Sequence, residues 1–173
     1  TRRPTIETAM RSASQFLSPK DLNSNSMFMD VADPIVNQIV IAAVNCEDKG
    51  LINELRLFVE GQLANSKNSK LSPDYSFKIS ADLITLLAQM SNNILLELFA
   101  RILWDEISVS HTAGTFEENQ QITLSNHSTR LNLAKAVLAK DKDKAVSAWR
   151  KRANFLRSCP KRGFDLTRKR NIA

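Results

Sequence analysis

Few residues in this sequence have the types and spacing that active-site chemistry requires. The two histidines, His111 and His127, form no i, i+4 pair, and no carboxylate near them has the spacing of a metal site. There is no glycine-rich phosphate loop and no Gly-x-Ser-x-Gly nucleophile motif. The acid pairs at residues 105–106 and 117–118 are expected to be solvated. The sequence therefore predicts a protein that is not an enzyme and has no cofactor.

The two cysteines and the apolar runs bear on location. Cys46 and Cys159 fit neither a disulfide framework nor a metal-binding spacing. Two reduced thiols are typical of a cytoplasmic protein. No apolar run approaches the ~18–20 residues that a membrane span needs, and the N-terminal residues TRRPTIETAM lack the apolar region of a signal peptide. We therefore expect a cytoplasmic protein with no membrane partner.

The positive charge is local. The formal net charge is +6, but residues 149–170 (WRKRANFLRSCPKRGFDLTRKR) hold the excess, and the rest of the chain is slightly acidic. Such a run is either a solvated helix end with a loose tail or a patch that binds phosphate groups. It lacks the interleaved aromatic residues of a protein that binds single strands.

Helices are the elements that must position any site. The chain of 173 residues is 43% hydrophobic, which is enough for a single domain with a core. Only 4 glycines and 5 prolines occur, so the helices are joined by short links. We predict an all-α fold, an antiparallel bundle of about six to seven helices in one domain over residues 1–173. Residues 1–25 would form an N-terminal helix and link, and residues 160–173 a basic tail.

Helical spacing of apolar residues gives approximate bounds for the elements. Pro34 follows Asp33, so this pair either begins a helix or lies at a kink within a longer one. Pro73 follows Ser72, which predicts a helix start. The predicted helices cover residues 5–17, 27–44, 51–63, 73–90, 93–109, 116–139 and 141–158.

Three small polar residues, Ser91-Asn92-Asn93, interrupt the apolar stretch SADLITLLAQMSNNILLELFARILW at residues 80–104. The side-chain oxygen of Ser91 or Asn92 could accept from the free amides that begin a new helix. The stretch therefore predicts a junction between two helices.

This stretch resembles a motif of the FadR-type C-terminal domain of GntR-family transcription regulators, in which Asp-x-x-Phe-His precedes Ser-Gly-Asn and an apolar helix. Residues 91–93 fall on the Ser-Gly-Asn. Downstream, RLNLAKAVLAKDKDKAVSAWRKR is similar to the family's second motif. Residues 136–137 fall there on an Ala-Ile pair, residues 140–141 on Gly-Asp, and Ala145 on an alanine. Residues 42–43 fit the Ala-Ala that closes the family's first long helix, and the order of helices matches over nearly the whole chain.

The resemblance implies an effector-binding and dimerisation domain. In such regulators a winged helix-turn-helix domain binds operator DNA, and the all-α domain after it binds a small metabolite, often an organic acid. Nothing in this chain looks like a winged helix-turn-helix. The implied partners are therefore an acidic or phosphorylated metabolite, a second copy of the chain in a homodimer, and DNA through an N-terminal domain absent from this chain.

The chain departs from the family at the residues that hold a metal. The family's one Asp and three His fall on Ser80, Ile84, Arg130 and Arg152. None of these side chains replaces a carboxylate or imidazole ligand, so we expect no bound metal. Val31 also falls about where the family's first long helix often carries an arginine.

Two arginines stand at positions where the family has metal-binding histidines, and they favour binding of an anion rather than a metal ion. The interval between Arg130 and Arg152 equals that between the family's last two histidines. Buried arginines need an anionic partner, and guanidinium groups bind carboxylate or phosphate bidentately. We therefore predict that Ser80, Ile84, His127, Arg130 and Arg152 line an effector pocket, with Leu87 and Trp149 nearby. The alternative is that both arginines extend to solvent along their apolar stems.

A second function of another class stays open. The chain could be a basic helical adaptor that binds nucleic acid or a protein through residues 149–170. A winged helix encoded upstream of Thr1 would favour the regulator, and a true start near Thr1 would favour the adaptor.

Overall fold

A computed structural model describes residues 25–65, 73–107 and 116–158 of the protein. These residues form six helices and no strand, which confirms the predicted all-α bundle. The predicted first helix and the basic tail lie outside the described residues. None of the described helices has both the length and the apolar character needed to cross a membrane. The helices are α1 (Asn25–Val44), α2 (Lys49–Asn65), α3 (Pro73–Met90), α4 (Ile94–Ile107), α5 (Phe116–Leu138) and α6 (Lys142–Ser158).

Helix α3 lies at the centre of the bundle. It packs against α1, α2, α4 and α5, while α6 covers α1 and α5. Leu83, Ile84, Leu87 and Ala88 of α3 are fully buried, and their spacing puts them on one helical face. The polar residues that share this helix with the core are therefore held by rigid surroundings.

Helix α1 continues through Pro34 without a break, so Asp33 does not begin a helix there. Instead the Asp33 carboxylate joins α1 to α6. Its Oδ1 atom accepts a hydrogen bond of 2.7 Å from Trp149 Nε1, and its Oδ2 atom lies 2.8 Å from Arg157 Nη2. Trp149 is fully buried, which makes this contact a fixed point between the two helices.

The predicted junction at residues 91–93 is present, but a different residue caps the second helix. Asn93 Oδ1 accepts from the backbone N of Leu95 at 3.0 Å and of Leu96 at 3.4 Å. Ser91 donates its hydroxyl to the carbonyl of Ala88 and so belongs to the end of α3. Asn92 has a φ of 50°, and this left-handed residue turns the chain before α4 begins.

The link between α5 and α6 has the same construction. Lys140 has a φ of 54° and follows the end of α5. Asp141 Oδ1 then accepts from the backbone N of Lys144 at 3.0 Å and caps α6. Within the described residues, Asn92 and Lys140 are the non-glycine residues with positive φ.

Replacing Lys140 with glycine is expected to raise the free energy of unfolding by up to about 1 kcal/mol. The left-handed conformation costs a residue with a Cβ about 1–2 kcal/mol, part of which the greater freedom of glycine in the unfolded chain offsets. Lys142→Gly is a matched control, because Lys142 is helical and exposed. Lys142→Gly should lower the free energy of unfolding by about 0.5–1 kcal/mol, and urea unfolding measures this quantity for both variants. A loss of stability in both variants would contradict the role given to Lys140.

Candidate functional site

Polar residues from four helices meet inside the bundle. Buried polar groups need hydrogen-bond partners, since an unmatched group loses its hydration without compensation. Here six of them contact one another, and we call this set the arginine cluster. It consists of Gln62 from α2, Ser76 and Ser80 from α3, Asn126 and Arg130 from α5, and Arg152 from α6, all buried.

Arg130 holds α2 and α3 against α5. Its Nη1 atom donates to the Ser76 carbonyl at 2.9 Å and lies 3.2 Å from Ser80 Oγ. On the other side of the guanidinium, Nη2 donates to Gln62 Oε1 at 2.6 Å and Nε donates to the same oxygen at 3.2 Å. The side chain is 0% exposed, so the alternative that it extends to solvent is excluded.

Arg152 makes the corresponding contact from α6. Its Nη1 atom donates to Asn126 Oδ1 at 2.8 Å, to the Asn126 carbonyl at 3.2 Å and to Thr129 Oγ1 at 3.0 Å. The side chain is 1% exposed. Like Arg130, Arg152 is therefore directed inward rather than toward water.

Asn126 joins the two arginines into one network. Its Nδ2 atom donates to Ser76 Oγ at 3.0 Å, and its Oδ1 atom lies 3.2 Å from Ser80 Oγ. Both serines also lie within hydrogen-bond distance of Arg130. The structure thus brings together three of the predicted site residues, Ser80, Arg130 and Arg152. The hydrogen-bond partners of the two guanidinium groups include neutral oxygens and one imidazole nitrogen.

The other predicted site residues lie in two different environments. Ile84, one turn after Ser80, belongs to the apolar core together with Leu87 and Trp149. His127 lies beside the arginine cluster, with Nδ1 at 3.4 Å from Arg130 Nη2. Because guanidinium only donates, His127 Nδ1 must accept, and the proton of the neutral ring is on Nε2. The pKa of His127 is lowered from its ordinary value mainly by burial, and further by the positive charge of Arg130.

Stability is expected to decrease as the pH falls through about 6.5, the ordinary pKa of histidine. The folded state holds His127 neutral, whereas the unfolded chain takes up a proton there, so acid favours unfolding. Melting temperatures between about pH 7.5 and 5.5 should show the decrease, and His127→Gln should flatten it. His111→Gln serves as the control. If that variant alone removes the pH dependence, the assignment to His127 is wrong.

Gln62, Ser76 and Asn126 were not among the predicted site residues. A local signal existed for two of them. Ser76 precedes Ser80 by one turn, and Asn126 precedes Arg130 by one turn, so each lies on the same helical face as a predicted residue. Gln62 is 68 residues from Arg130 in the chain, and nothing in its own sequence surroundings indicates the contact.

A groove is formed by residues of α5 and α6. It has a volume of about 380 Å³, and its lining includes Lys135, Lys144 and Lys151 together with alanines such as Ala136 and Ala148. Neither Arg130 nor Arg152 is among its lining residues. Thr129 lines it and also accepts from Arg152, so the groove and the arginine cluster share one side chain.

The residues at the family's metal-ligand positions do not form a metal site. Ser80 and Arg130 contact each other, and guanidinium cannot give up its proton to bind a cation. In the described ranges, no three His, Cys, Asp or Glu residues lie close enough together to hold a metal ion. What the cluster offers chemically is a set of hydrogen-bond donors that suits oxygen anions.

Comparisons of the chain with models of known protein families, with curated proteins and with solved structures gave no match.

Proposed function

We propose that this chain is the effector-binding and dimerisation domain of a GntR-type transcription regulator of the FadR subfamily, and that it binds an acidic metabolite without a metal. One observation carries the proposal. Ser80, Arg130 and Arg152 fall on three of the family's ligand-site positions, and their side chains meet in one buried network. The convergence of these residues from three helices supports the alignment of the motifs.

The helix ends give separate support. Asn92 and Lys140 fall on the glycines of the family's Ser-Gly-Asn and Gly-Asp motifs, and both have positive φ. That conformation is the one that glycine adopts most readily. The Asn and Asp that follow, Asn93 and Asp141, each cap the next helix. Each motif thus corresponds to the same local structure, a left-handed residue followed by an N-cap.

The arginine cluster suggests how a ligand would act. Its hydrogen bonds join α2, α3, α5 and α6. A carboxylate or phosphate binds guanidinium more strongly than a neutral amide oxygen does. An acid that displaces Gln62 or Asn126 from the arginines would therefore stabilise a different arrangement of these helices. Such a shift in population is the means by which the domain would alter the spacing of attached DNA-binding domains.

A homodimer is part of the proposal, because domains of this kind usually dimerise. Helix α4 has apolar side chains that the described bundle leaves open to solvent. Ile94 is 73% exposed and Leu95 is 55% exposed. An apolar patch of this sort is typical of a surface that another molecule covers.

Mass spectrometry of small molecules released from the purified, denatured domain tests the proposal. We expect an organic or phosphorylated acid to co-purify, and we expect the same compound to raise the melting temperature when it is added back. The coding sequence upstream of Thr1 gives a second test, since the proposal requires a winged helix-turn-helix there. The absence of that domain, together with no stabilising acid, would contradict it.

The groove on α5 and α6 favours a second candidate function, that of a basic adaptor that binds a protein partner. Three lysines border it and no acidic residue lines it. Lys151 is within the basic segment 149–170, of which residues 149–158 belong to α6. An acidic helical segment would suit the charge and the small side chains of the groove. Binding of an acidic helical peptide that is abolished by Lys135→Glu and by Lys151→Glu, and that organic acids do not change, would favour this function.

A further inference from the structure

Two buried polar atoms on α5 have no hydrogen-bond partner within the part of the chain that the structure describes. They are Thr123 Oγ1 and His127 Nε2. Thr123 is 8% exposed. A buried donor without an acceptor costs about 1–3 kcal/mol, so such an atom calls for an explanation.

The two atoms belong to one face of α5 next to Arg130. Thr123 and His127 are four residues apart and Arg130 follows three residues later, a spacing that places their side chains on adjacent turns. Arg130 Nη2 lies 3.4 Å from His127 Nδ1, so the guanidinium faces the Nδ1 side of the imidazole ring. Nε2 is the ring nitrogen that has no hydrogen-bond partner within the described residues.

Both atoms are able to donate. Nδ1 of His127 accepts from Arg130, so Nε2 carries the proton of the neutral ring. The Thr123 hydroxyl rotates and donates to whatever acceptor is near. Two donors beside a guanidinium group suit an acceptor with negative charge, because each hydrogen bond is then strengthened by that charge.

We propose that Thr123 and His127 form a subsite for one oxygen of an anionic ligand, a carboxylate or a phosphate, at the edge of the arginine cluster. The subsite rests on the proposed function in that the ligand is the effector. It adds Thr123 to the predicted site residues, and it assigns one donor to each of the two residues: Oγ1 of Thr123 and Nε2 of His127. A single ordered water is the competing occupant, since water also accepts hydrogen bonds.

The test compares two variants of the full chain with the native protein. Thr123→Val removes the hydroxyl but keeps the shape of the side chain, whereas Thr123→Ser keeps the hydroxyl. Without ligand, Thr123→Val should be at least as stable as the native protein, because no partner loses a hydrogen bond. The probes are acetate, succinate, citrate and inorganic phosphate. The apparent affinity of each probe is obtained from how far it raises the melting temperature. That affinity should be about tenfold weaker in Thr123→Val than in the native protein and unchanged in Thr123→Ser.

The NMR signal of His127 gives a second readout that a structural role would not move. In protein labelled with ¹⁵N-histidine, the bound anion should shift the Nε2 resonance of His127, and His111→Gln allows the assignment. Comparing carboxylates with phosphate identifies the class of ligand. If no probe shifts the Nε2 signal, or if Thr123→Val binds the probes as well as the native protein does, the subsite is disproved.

The outcomes separate the subsite from the proposed function. An acid that co-purifies and stabilises Thr123→Val and the native protein equally would disprove the subsite and leave the regulator proposal standing. Binding of acetate or phosphate at His127 without a co-purified acid and without an upstream winged helix would support the subsite and contradict the regulator.

Discussion

The Arg130→Ala variant is expected to lose about 3–5 kcal/mol of unfolding free energy. The change removes a fully buried side chain and leaves a cavity where α2, α3 and α5 meet. It also leaves Gln62 Oε1 without the two donors, Nε and Nη2 of Arg130, that now satisfy it. Urea unfolding monitored by circular dichroism measures the loss, with the native protein as reference.

Arg130→Met separates the two causes, because methionine fills much of the volume but donates no hydrogen bond. We expect a smaller loss of about 1–3 kcal/mol, the cost of the acceptors left unsatisfied. The double variant Arg130→Met with Gln62→Met should recover part of that loss of unfolding free energy, because the Gln62 acceptor is removed together with its Arg130 donor. If Arg130→Ala costs less than about 1 kcal/mol, the guanidinium is solvated rather than buried.

Trp149→Ala should cost about 3–5 kcal/mol, the range for loss of a large buried aromatic side chain. Trp149 is 0% exposed, and its Nε1 donates to Asp33 Oδ1 at 2.7 Å. The change therefore empties the interface between α1 and α6 and releases one oxygen of the Asp33 carboxylate. Thermal unfolding followed by far-ultraviolet circular dichroism measures it.

Trp149→Phe is the matched control for the hydrogen bond. Phenylalanine retains most of the packing, and Arg157 Nη2 still lies 2.8 Å from the other oxygen of Asp33. We expect a loss of about 1–2 kcal/mol, much smaller than that of the alanine variant. Equal losses in the two variants would show that the contact with Asp33, and not burial of the ring, fixes α6 against α1.

The helices were predictable because their signals are local. Apolar spacing predicted Phe116–Leu138 and Lys142–Ser158 to within a residue at each end, and Pro73 begins α3 as the Ser-Pro pair indicated. The cap at the α3–α4 junction was assigned to the wrong residue. Three consecutive small polar residues all suit a cap. In the structure Ser91 bonds back to α3 and Asn92 is the left-handed residue of the turn, so Asn93 is the one that caps α4.

The candidate site was predictable in part, and the limit is physical. Motif spacing indicated that Ser80, Arg130 and Arg152 converge, and they do so in one network. The sequence could not indicate Gln62, because the choice of a distant partner depends on how α2 packs against α5. Nor could the sequence indicate which amide, hydroxyl and carbonyl oxygens accept hydrogen bonds from the two guanidinium groups, because the packing of the helices brings those oxygens there. His111 and Cys159 lie outside the described residues.

The amide oxygens of Gln62 and Asn126, which accept from the arginines, bear on the proposed function. A carboxylate is a stronger acceptor for guanidinium than an amide oxygen is, so an acidic ligand could compete with these two side chains. Burial and the charge of Arg130 lower the pKa of His127, which favours the neutral imidazole, so His127 presents one donor beside the two guanidinium groups and adds no third positive charge. We infer that specificity for an acid would come from Arg130 and Arg152, with His127 setting its orientation.

Isothermal titration of succinate and citrate, and of any acid recovered from the purified domain, tests anion binding at the arginine cluster most directly. The titrations compare the native protein with Arg152→Met, and with Lys151→Met as a control, since Lys151 is adjacent in the chain but exposed. We predict that one of these acids binds and that Arg152→Met weakens its binding by about 1.5–3 kcal/mol. Lys151→Met should bind the acid as well as the native protein does. Arg152→Met should leave the binding of the neutral amide of the same acid nearly unchanged. Equal affinity of the acid for the native protein and for Arg152→Met would contradict binding at the cluster.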